Sequence, residues 1–461
     1  MITTLDIIKS WKDTQGNVNS TDELLQWIYK LNQTTFTKIN ECSINDSTFW
    51  FYDDYNGEIL NRKRSFFSIK GMRRFDNEEF VSEQPIIIQP EIGYLGIICR
   101  KIDGVLNFLM QAKIEPGNIN CVQISPTIQA TKSNFTRAHG GKLPAYFELF
   151  EHSEKYEILY DQIQSEQATR FLKKRNRNMI MAVEEEIEVY PNFKWMTLGQ
   201  IKQLMKVDNL VNMDTRTVIS GLPLLTNFGK EDIGEYKDYF SDIALYNSIY
   251  ESGIGTNIPA VYQKINNYKM FNETKIVPVP LNQLVDWRID DYGITCKNNA
   301  DFMVRYYDIE ISGREVQHWN QPLFKAIGKA TFGLITRVRN EKREFLVKIR
   351  SEIGSFDRIE LGPSVQLEPS HYLYNDDVVE KCFRKHMDVK KGILNNVILS
   401  EEGGRFYHEE NHNSIIEIDC DELAIPPKEY IWVDYATLNI MMQINNCLNI
   451  QLRNLLSLLN I

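Results

Sequence analysis

The sequence predicts an α+β protein made of two tandem copies of one module, each copy a mixed β-sheet with one or two helices packed on it. Three observations carry this. A set of rigid and aromatic residues returns in register 237 positions later, β-rich runs flank a tight hairpin turn, and helix-opening signals follow those runs.

The repeat can be read residue by residue. Gln84-Pro85 recurs as Gln321-Pro322, Trp50 as Trp287, and Asp53-Asp54-Tyr55 as Asp290-Asp291-Tyr292. Gly96, Ile98 and Arg100 return as Gly333, Ile335 and Arg337, and Phe108-Leu109 as Phe345-Leu346. Glu115, Gly117, Pro126 and Gln129 return as Glu352, Gly354, Pro363 and Gln366. Two residues are then lost, so Ser165-Glu166 and Arg170-Phe171 meet Ser400-Glu401 and Arg405-Phe406 at an offset of 235. The offset of 237 resumes for Trp195 and Trp432, Asn212 and Asn449, and Arg216 and Arg453. A unit of this size is a domain and not a solenoid repeat.

In chain order, residues 1–45 read as an N-terminal helical extension, 46–225 as the first repeat, 226–280 as a linker, and 281–461 as a degenerate second repeat. Ser20-Thr21-Asp22-Glu23, ahead of Leu24, Leu25, Ile28 and Leu31, is a capping box opening an amphipathic helix. Leu95–Ile102 and Val105–Lys113 are strand-like, and Asp103-Gly104 between them is a strong hairpin signal. The second copy has Asn340-Glu341 there, a weaker signal. Thr197-Leu198-Gly199-Gln200 opens another helix with capping-box spacing.

Composition bounds the function. With 43% hydrophobic and 25% charged residues in 461, the chain has the balance of a globular protein. Apolar runs such as Tyr94–Cys99 fall far short of a membrane span, and Asp6, Lys9 and Lys12 interrupt any signal-peptide core. Seven scattered cysteines form no C-x-x-C pair, so no disulfide framework or cysteine zinc site is expected, and a cytoplasmic location fits. A net charge of −10 argues against a nucleic-acid partner.

Several motifs are absent: a G-x-G-x-x-G dinucleotide fingerprint, a P-loop and a G-x-S-x-G elbow. His408-Glu409-Glu410-Asn411-His412 matches H-E-x-x-H, but Gly403-Gly404 precedes it and a strand-like run follows. A zinc site of that type needs a helix, so none is expected. Arg170, Lys173, Lys174, Arg175 and Arg177 form a basic cluster, either a solvated face or a holder of phosphate oxygens. Gln111–Gly141 is polar and rich in Gly, Thr, Asn and Gln. The second copy keeps the frame of that stretch but loses Lys113, Asn118, Thr131, Arg137 and His139-Gly140-Gly141. Residues common to both copies are therefore expected to carry the fold, and those found only in the first to carry the chemistry.

Gln111–Gly141, Gln164–Gln167, Lys174–Asn178, Trp195–Gln200, Asp208–Asp214 and Glu401–Tyr407 closely resemble the nucleotide-diphosphate-hexose 2,3-dehydratases. Phe135 and Ala168 stand where that family has Tyr and Gly. The resemblance implies a cofactor-independent hydro-lyase acting on a thymidine-diphosphate-4-keto-6-deoxyglucose. It also implies a Nudix-type fold for each repeat, a homodimer, and a downstream NADPH-dependent 3-ketoreductase that consumes the labile diketo product. Within that reading His139 is the acid–base candidate, because an imidazole titrates near working pH, with Glu166 and Lys113 as partner acid and enolate-stabilising cation. Arg137, Lys174, Arg175 and Arg177 are candidates for the diphosphate, and Asn118, Thr131 and Asn178 complete the substrate-binding set. Trp50 and Trp195 are candidates for stacking on the base, against an equal case for core packing. The alternative is a non-catalytic protein that binds a nucleotide sugar or has a regulatory role.

Overall fold

The computed structural model describes every residue except 65, 136–142, 226–232, 252–256, 299–300, 314–315 and 371–376. Each copy builds a seven-stranded mixed sheet with the same strand neighbours. In the first, the order runs Glu157–Ser165, Arg175–Ala182, Gly93–Ile102, Val105–Ile114, Phe193–Thr197. In the second, Ile393–Ser400, Glu410–Ile418, Thr331–Arg339 and Lys342–Arg350 follow the same sequence, with Tyr430–Asp434 pairing beside Lys342–Arg350. Both sheets contain one parallel pair at the same place, Arg175–Ala182 on Gly93–Ile102 and Glu410–Ile418 on Thr331–Arg339.

The hairpin turns explain why the two copies match despite different turn residues. Asp103 and Gly104 both take positive φ, 47° and 83°, which matches the twist of the flanking strands. Asn340 and Glu341 take 49° and 62°, so the second copy makes the same turn without glycine. The predicted capping boxes form: Thr197 accepts from the Gln200 N–H at the head of Leu198–Leu204, and Ser20 from that of Glu23 at the head of Thr21–Thr34.

The correspondence runs on ahead of each large sheet, where Thr37-Lys38-Ile39 recurs as Thr274-Lys275-Ile276. Helices Thr21–Thr34 and Ile258–Phe271 are each 14 residues long and start 237 positions apart. Strands Thr37–Glu41 and Thr274–Val279 follow them at the same offset. These strands are exchanged between copies. Thr37–Glu41 pairs with Phe302–Ile311 of the second copy, while Thr274–Val279 pairs with Ser68–Asp76 of the first. Two smaller sheets result, one of five strands and one of six, each containing a strand that precedes the other copy.

A buried helix pair, Met213–Ser220 and Ile450–Ser457, packs at the centre of a core cluster drawn from both copies. Each helix carries a fully buried arginine that reaches across the repeat boundary. Arg216 donates to the Ser400 carbonyl at 2.8 Å, and Arg453 donates to that of Ser165. The recurrent Gly117 and Gly354 sit where backbones cross. A Cβ on Gly117 would strike the Phe406 carbonyl, and one on Gly354 the Phe171 carbonyl. Among the described residues no helix is long and apolar enough to cross a membrane.

Candidate active site

The exchange brings the two copies together around a cleft of about 1500 Å³. Strand Val105–Ile114 of the first copy leads into Glu115, and the edge strand Ile128–Ala130 supplies Gln129. Lys113 Nζ lies 3.4 Å from Glu115 Oε1 and donates to the Gln129 carbonyl at 3.1 Å. Gln129 Nε2 donates to Glu115 Oε1 at 3.1 Å, and Asn212 Nδ2 donates to Gln129 Oε1 at 3.0 Å. The ammonium is thus aimed by a short chain of hydrogen bonds that starts at a helix cap. On the neighbouring wall Asn176 Nδ2 donates to Glu166 Oε2 at 2.7 Å, and Lys174 Nζ donates to the Glu91 carbonyl at 2.5 Å.

The second copy completes the cleft from the loop ahead of Phe406-Tyr407. Glu402 Oε1 accepts from the Gly404 N–H at 3.0 Å. Arg405 lies over the rings of Phe66 and Phe67, 4.7 and 4.4 Å from their centroids, and donates to Gln89 Oε1 at 3.1–3.2 Å. Gln321 Nε2 holds the Gly404 carbonyl at 2.5 Å. Asp214, in the first turn of Met213–Ser220, closes the floor.

Glu115, Glu166, Asp214 and Glu402 therefore lie along one cleft with Lys113, Lys174 and Arg405. Burial, followed by repulsion from Glu115 and Glu166, pushes the Glu402 carboxyl up to about 8. Burial and the neighbouring Glu166, Glu402 and Glu115 push Asp214 well above the usual carboxylate range. Burial also raises Glu166, against the pull of Lys174 and Arg453, and lowers the Lys174 ammonium. Such a set can donate and accept protons near neutral pH, beside a fixed cation that can stabilise developing negative charge.

Five of the residues singled out from the sequence line this cleft: Lys113, Glu166, Lys174, Thr131 and Trp50. His139 and Arg137 lie outside the described residues; Asn134 and Leu143, on either side of residues 136–142, both line the cleft. The others are engaged elsewhere. Arg177 is paired with Asp161 through two contacts of 2.6–2.7 Å, and Arg175 stacks on Phe356 at 3.7 Å. Asn178 donates to the Asn176 carbonyl and Asn118 to that of Cys121, so both brace backbone. Trp195 is 6% exposed in a core cluster with Ile98 and Phe193. His408 has a positive φ of 50° in a loop and His412 lies in strand Glu410–Ile418, so the H-E-x-x-H residues share no helix.

The second copy keeps the frame of this site and changes its contents. Gln366 donates to Glu352 at 2.6 Å, Asn449 to Gln366 at 3.1 Å, and Asn411 to Glu401 at 2.7 Å, repeating the first-copy contacts. Glu368 stands in place of Thr131 and pairs at 3.0 Å with Arg170, the counterpart of Arg405. Gln451 replaces Asp214, and Gln167 is the counterpart of Glu402. Asp214 and Glu402 were within reach of sequence reasoning, since each is an acid in one copy and an amide in the other.

Among the described residues, the duplicated α+β fold holds an acid-rich, cation-bearing cleft lined by both copies, an arrangement suited to acid–base chemistry. The sequence profile of the NDP-hexose 2,3-dehydratases matches residues 21–222 and 259–459, and the chain belongs to that family. It is 34% identical over 433 residues to a dTDP-4-dehydro-6-deoxy-alpha-D-glucopyranose 2,3-dehydratase of Streptomyces violaceoruber, covering 91% of this chain and 92% of the relative. A relative of the same name from Saccharopolyspora spinosa is 33% identical over 453 residues, covering 95% and 89%. Another from Amycolatopsis orientalis is 31% identical over 462 residues, covering 97% and 92%.

Proposed function

We propose that the chain removes water across C2 and C3 of a thymidine-diphosphate-4-keto-6-deoxyglucose, giving the 3,4-diketo-2,6-dideoxy sugar nucleotide. The observation that carries the reading is the Lys113–Glu115–Gln129 triad facing the high-pKa acids Glu402 and Asp214 in one cleft. The C4 ketone acidifies the C3 hydrogen, so a base takes that proton and leaves an enolate, whose charge falls to Lys113. The C2–O bond then breaks and the departing hydroxide takes a proton to leave as water. The resulting C3 enol moves its proton to C2 and becomes the second ketone. No hydride is transferred, so the chemistry needs no nicotinamide.

Glu402, held protonated near neutral pH, suits the acid at the C2 oxygen. Glu166 and His139 are the candidates for the base at C3, the first from its place in the cleft, the second from its residue type and adjoining Gly140-Gly141. Lys63, Lys174 and Arg405 are cleft cations that could meet a diphosphate, so in this reading they take the place of Arg175 and Arg177. Thr131 would add to the substrate surface, while Trp50, 2% exposed and packed on Phe67, would back the cleft wall from the core. A Nudix-type comparison for each copy, a homodimer, a ketoreductase acting on the product, and a cytoplasmic location belong to the same proposal.

Substrate carrying deuterium at C3 tests the reaction. The expected product has lost one water and its C3 label. Product that keeps deuterium at C3, or substrate returned unchanged, would overturn it.

A further inference from the structure

Away from the cleft, the second copy assembles three metal-binding side chains on one face. Helix Val378–Asp388 is capped by Asp377, whose side chain accepts from the Val379 and Glu380 N–H groups. Its four-residue spacing sets Cys382 and His386 on one side of the helix. The turn after strand Glu410–Ile418, closed by the Glu422 N–H to the Asp419 carbonyl, brings Glu422 over the same side. One ligand atom from each of the three lies within 4.8 Å of the other two.

The hydrogen bonds around His386 orient it as a metal ligand. The ring is 2% exposed, with Nδ1 3.2 Å from the Lys391 carbonyl and Nε2 2.7 Å from Glu422 Oε2. A carbonyl oxygen only accepts, so Nδ1 carries a hydrogen, which is the second-sphere contact that turns Nε2 toward a metal. Glu422 also only accepts when ionised, so without a metal a proton must bridge Nε2 and the carboxylate. Lys385 Nζ, 3.3 Å from Glu422 Oε1, occupies the other carboxylate oxygen, and Lys391 is paired with Asp419 at 2.7 Å.

We propose that Cys382, His386 and Glu422 form a binding site for a divalent transition-metal ion of the zinc class, which takes the place of the bridging proton and ties the 419–423 turn to the helix. A sulfur, an imidazole and one carboxylate oxygen suit zinc and cobalt(II) and disfavour magnesium and calcium. Zinc bonds of about 2.0–2.3 Å place neighbouring ligand atoms roughly 3.2–3.7 Å apart, which small side-chain rotations here would reach. A thiol binds zinc as the thiolate and the bridging proton is displaced, so metal uptake must release protons. None of the three residues lines the cleft.

The test uses the full chain, stripped with chelator and titrated separately with zinc(II) and cobalt(II). The expected result is one ion bound per chain, proton release on binding, a rise in Tm, and for cobalt the sulfur-to-metal absorption band of a thiolate complex. Cys382→Ser keeps the side-chain size and should abolish that band. It should also weaken binding by more than the roughly 10–100-fold that loss of a second-sphere partner causes. His386→Gln should weaken binding likewise. Failure to bind, binding unchanged in Cys382→Ser, or a magnesium response equal to that of zinc would overturn the proposal.

Discussion

Replacing Glu402 by Gln changes one atom of the cleft and removes its most clearly assigned acid. Gln keeps an Oε1 to accept from the Gly404 N–H, so the loop that carries Arg405 should stay in place. With its carboxyl at about 8, Glu402 holds a proton in roughly nine of ten molecules at pH 7. Removing a general acid of this kind should cost about 10²–10⁴-fold in kcat. Wild-type kcat should also fall as pH rises through about 8, and that limb should be missing from the residual activity of Glu402→Gln. The same shift has a sign for stability. A carboxyl raised from 4.5 to about 8 binds its proton more tightly when folded, so stability is lost as pH climbs from 4.5 through 8. The loss is at most roughly 5 kcal/mol, and the Gln variant should escape it. The assay is mass-spectrometric rate measurement from pH 6 to 9, with urea unfolding at both ends. A folded variant with the wild-type rate and an unchanged alkaline limb would refute the assignment.

Three further outcomes follow. Lys174→Ala should weaken thymidine diphosphate binding by about 1.5–3 kcal/mol by calorimetry, whereas Arg177→Ala, which frees Asp161 away from the cleft, should leave it nearly unchanged. His408→Ala with His412→Ala should leave the dehydration rate close to wild type, because the pair lies on a loop and a strand and neither lines the cleft. Lys202 is buried over Trp11 with the Ser457 and Leu459 carbonyls as acceptors, and burial lowers its ammonium to about 7. The unfolded chain therefore binds that proton more tightly, and stability should rise with pH between about 7 and 10.5. At pH 6 Lys202→Met should be the more stable by roughly 3 kcal/mol, the shift of roughly 5 less about 1 for each hydrogen bond lost.

What was legible in the sequence was local or repeated. Asp103-Gly104 and the Thr197 and Ser20 capping boxes read correctly because their chemistry is complete within four residues. Asn340-Glu341 makes the same turn from a weak signal, since the paired strands impose the positive φ. The exchanged strands carry a visible mark, Thr37-Lys38-Ile39 recurring as Thr274-Lys275-Ile276, but their exchange was hidden because it rests on pairing with strands far along the chain. In the site, Lys113 and Thr131 are visible as residues the second copy lacks, and Glu402 as an acid that the second copy has opposite Gln167. Arg405 could not be found that way, because its counterpart Arg170 is also an arginine; only the structure shows one ion-paired to Glu368 and the other facing the cleft. Arg175 and Arg177 lie off the cleft because alternate residues along a strand take opposite faces: Lys174 and Asn176 face the cleft, and the two arginines share the other side.

The most direct test is the mass of the sugar nucleotide after incubation with the purified chain alone, with no nicotinamide added. The account predicts a product lighter by one water, formed by wild type and slowed about 10²–10⁴-fold in Glu402→Gln. Recovery of intact 4-keto sugar nucleotide from a protein that nonetheless binds thymidine diphosphate would contradict it and favour a binding protein without catalysis.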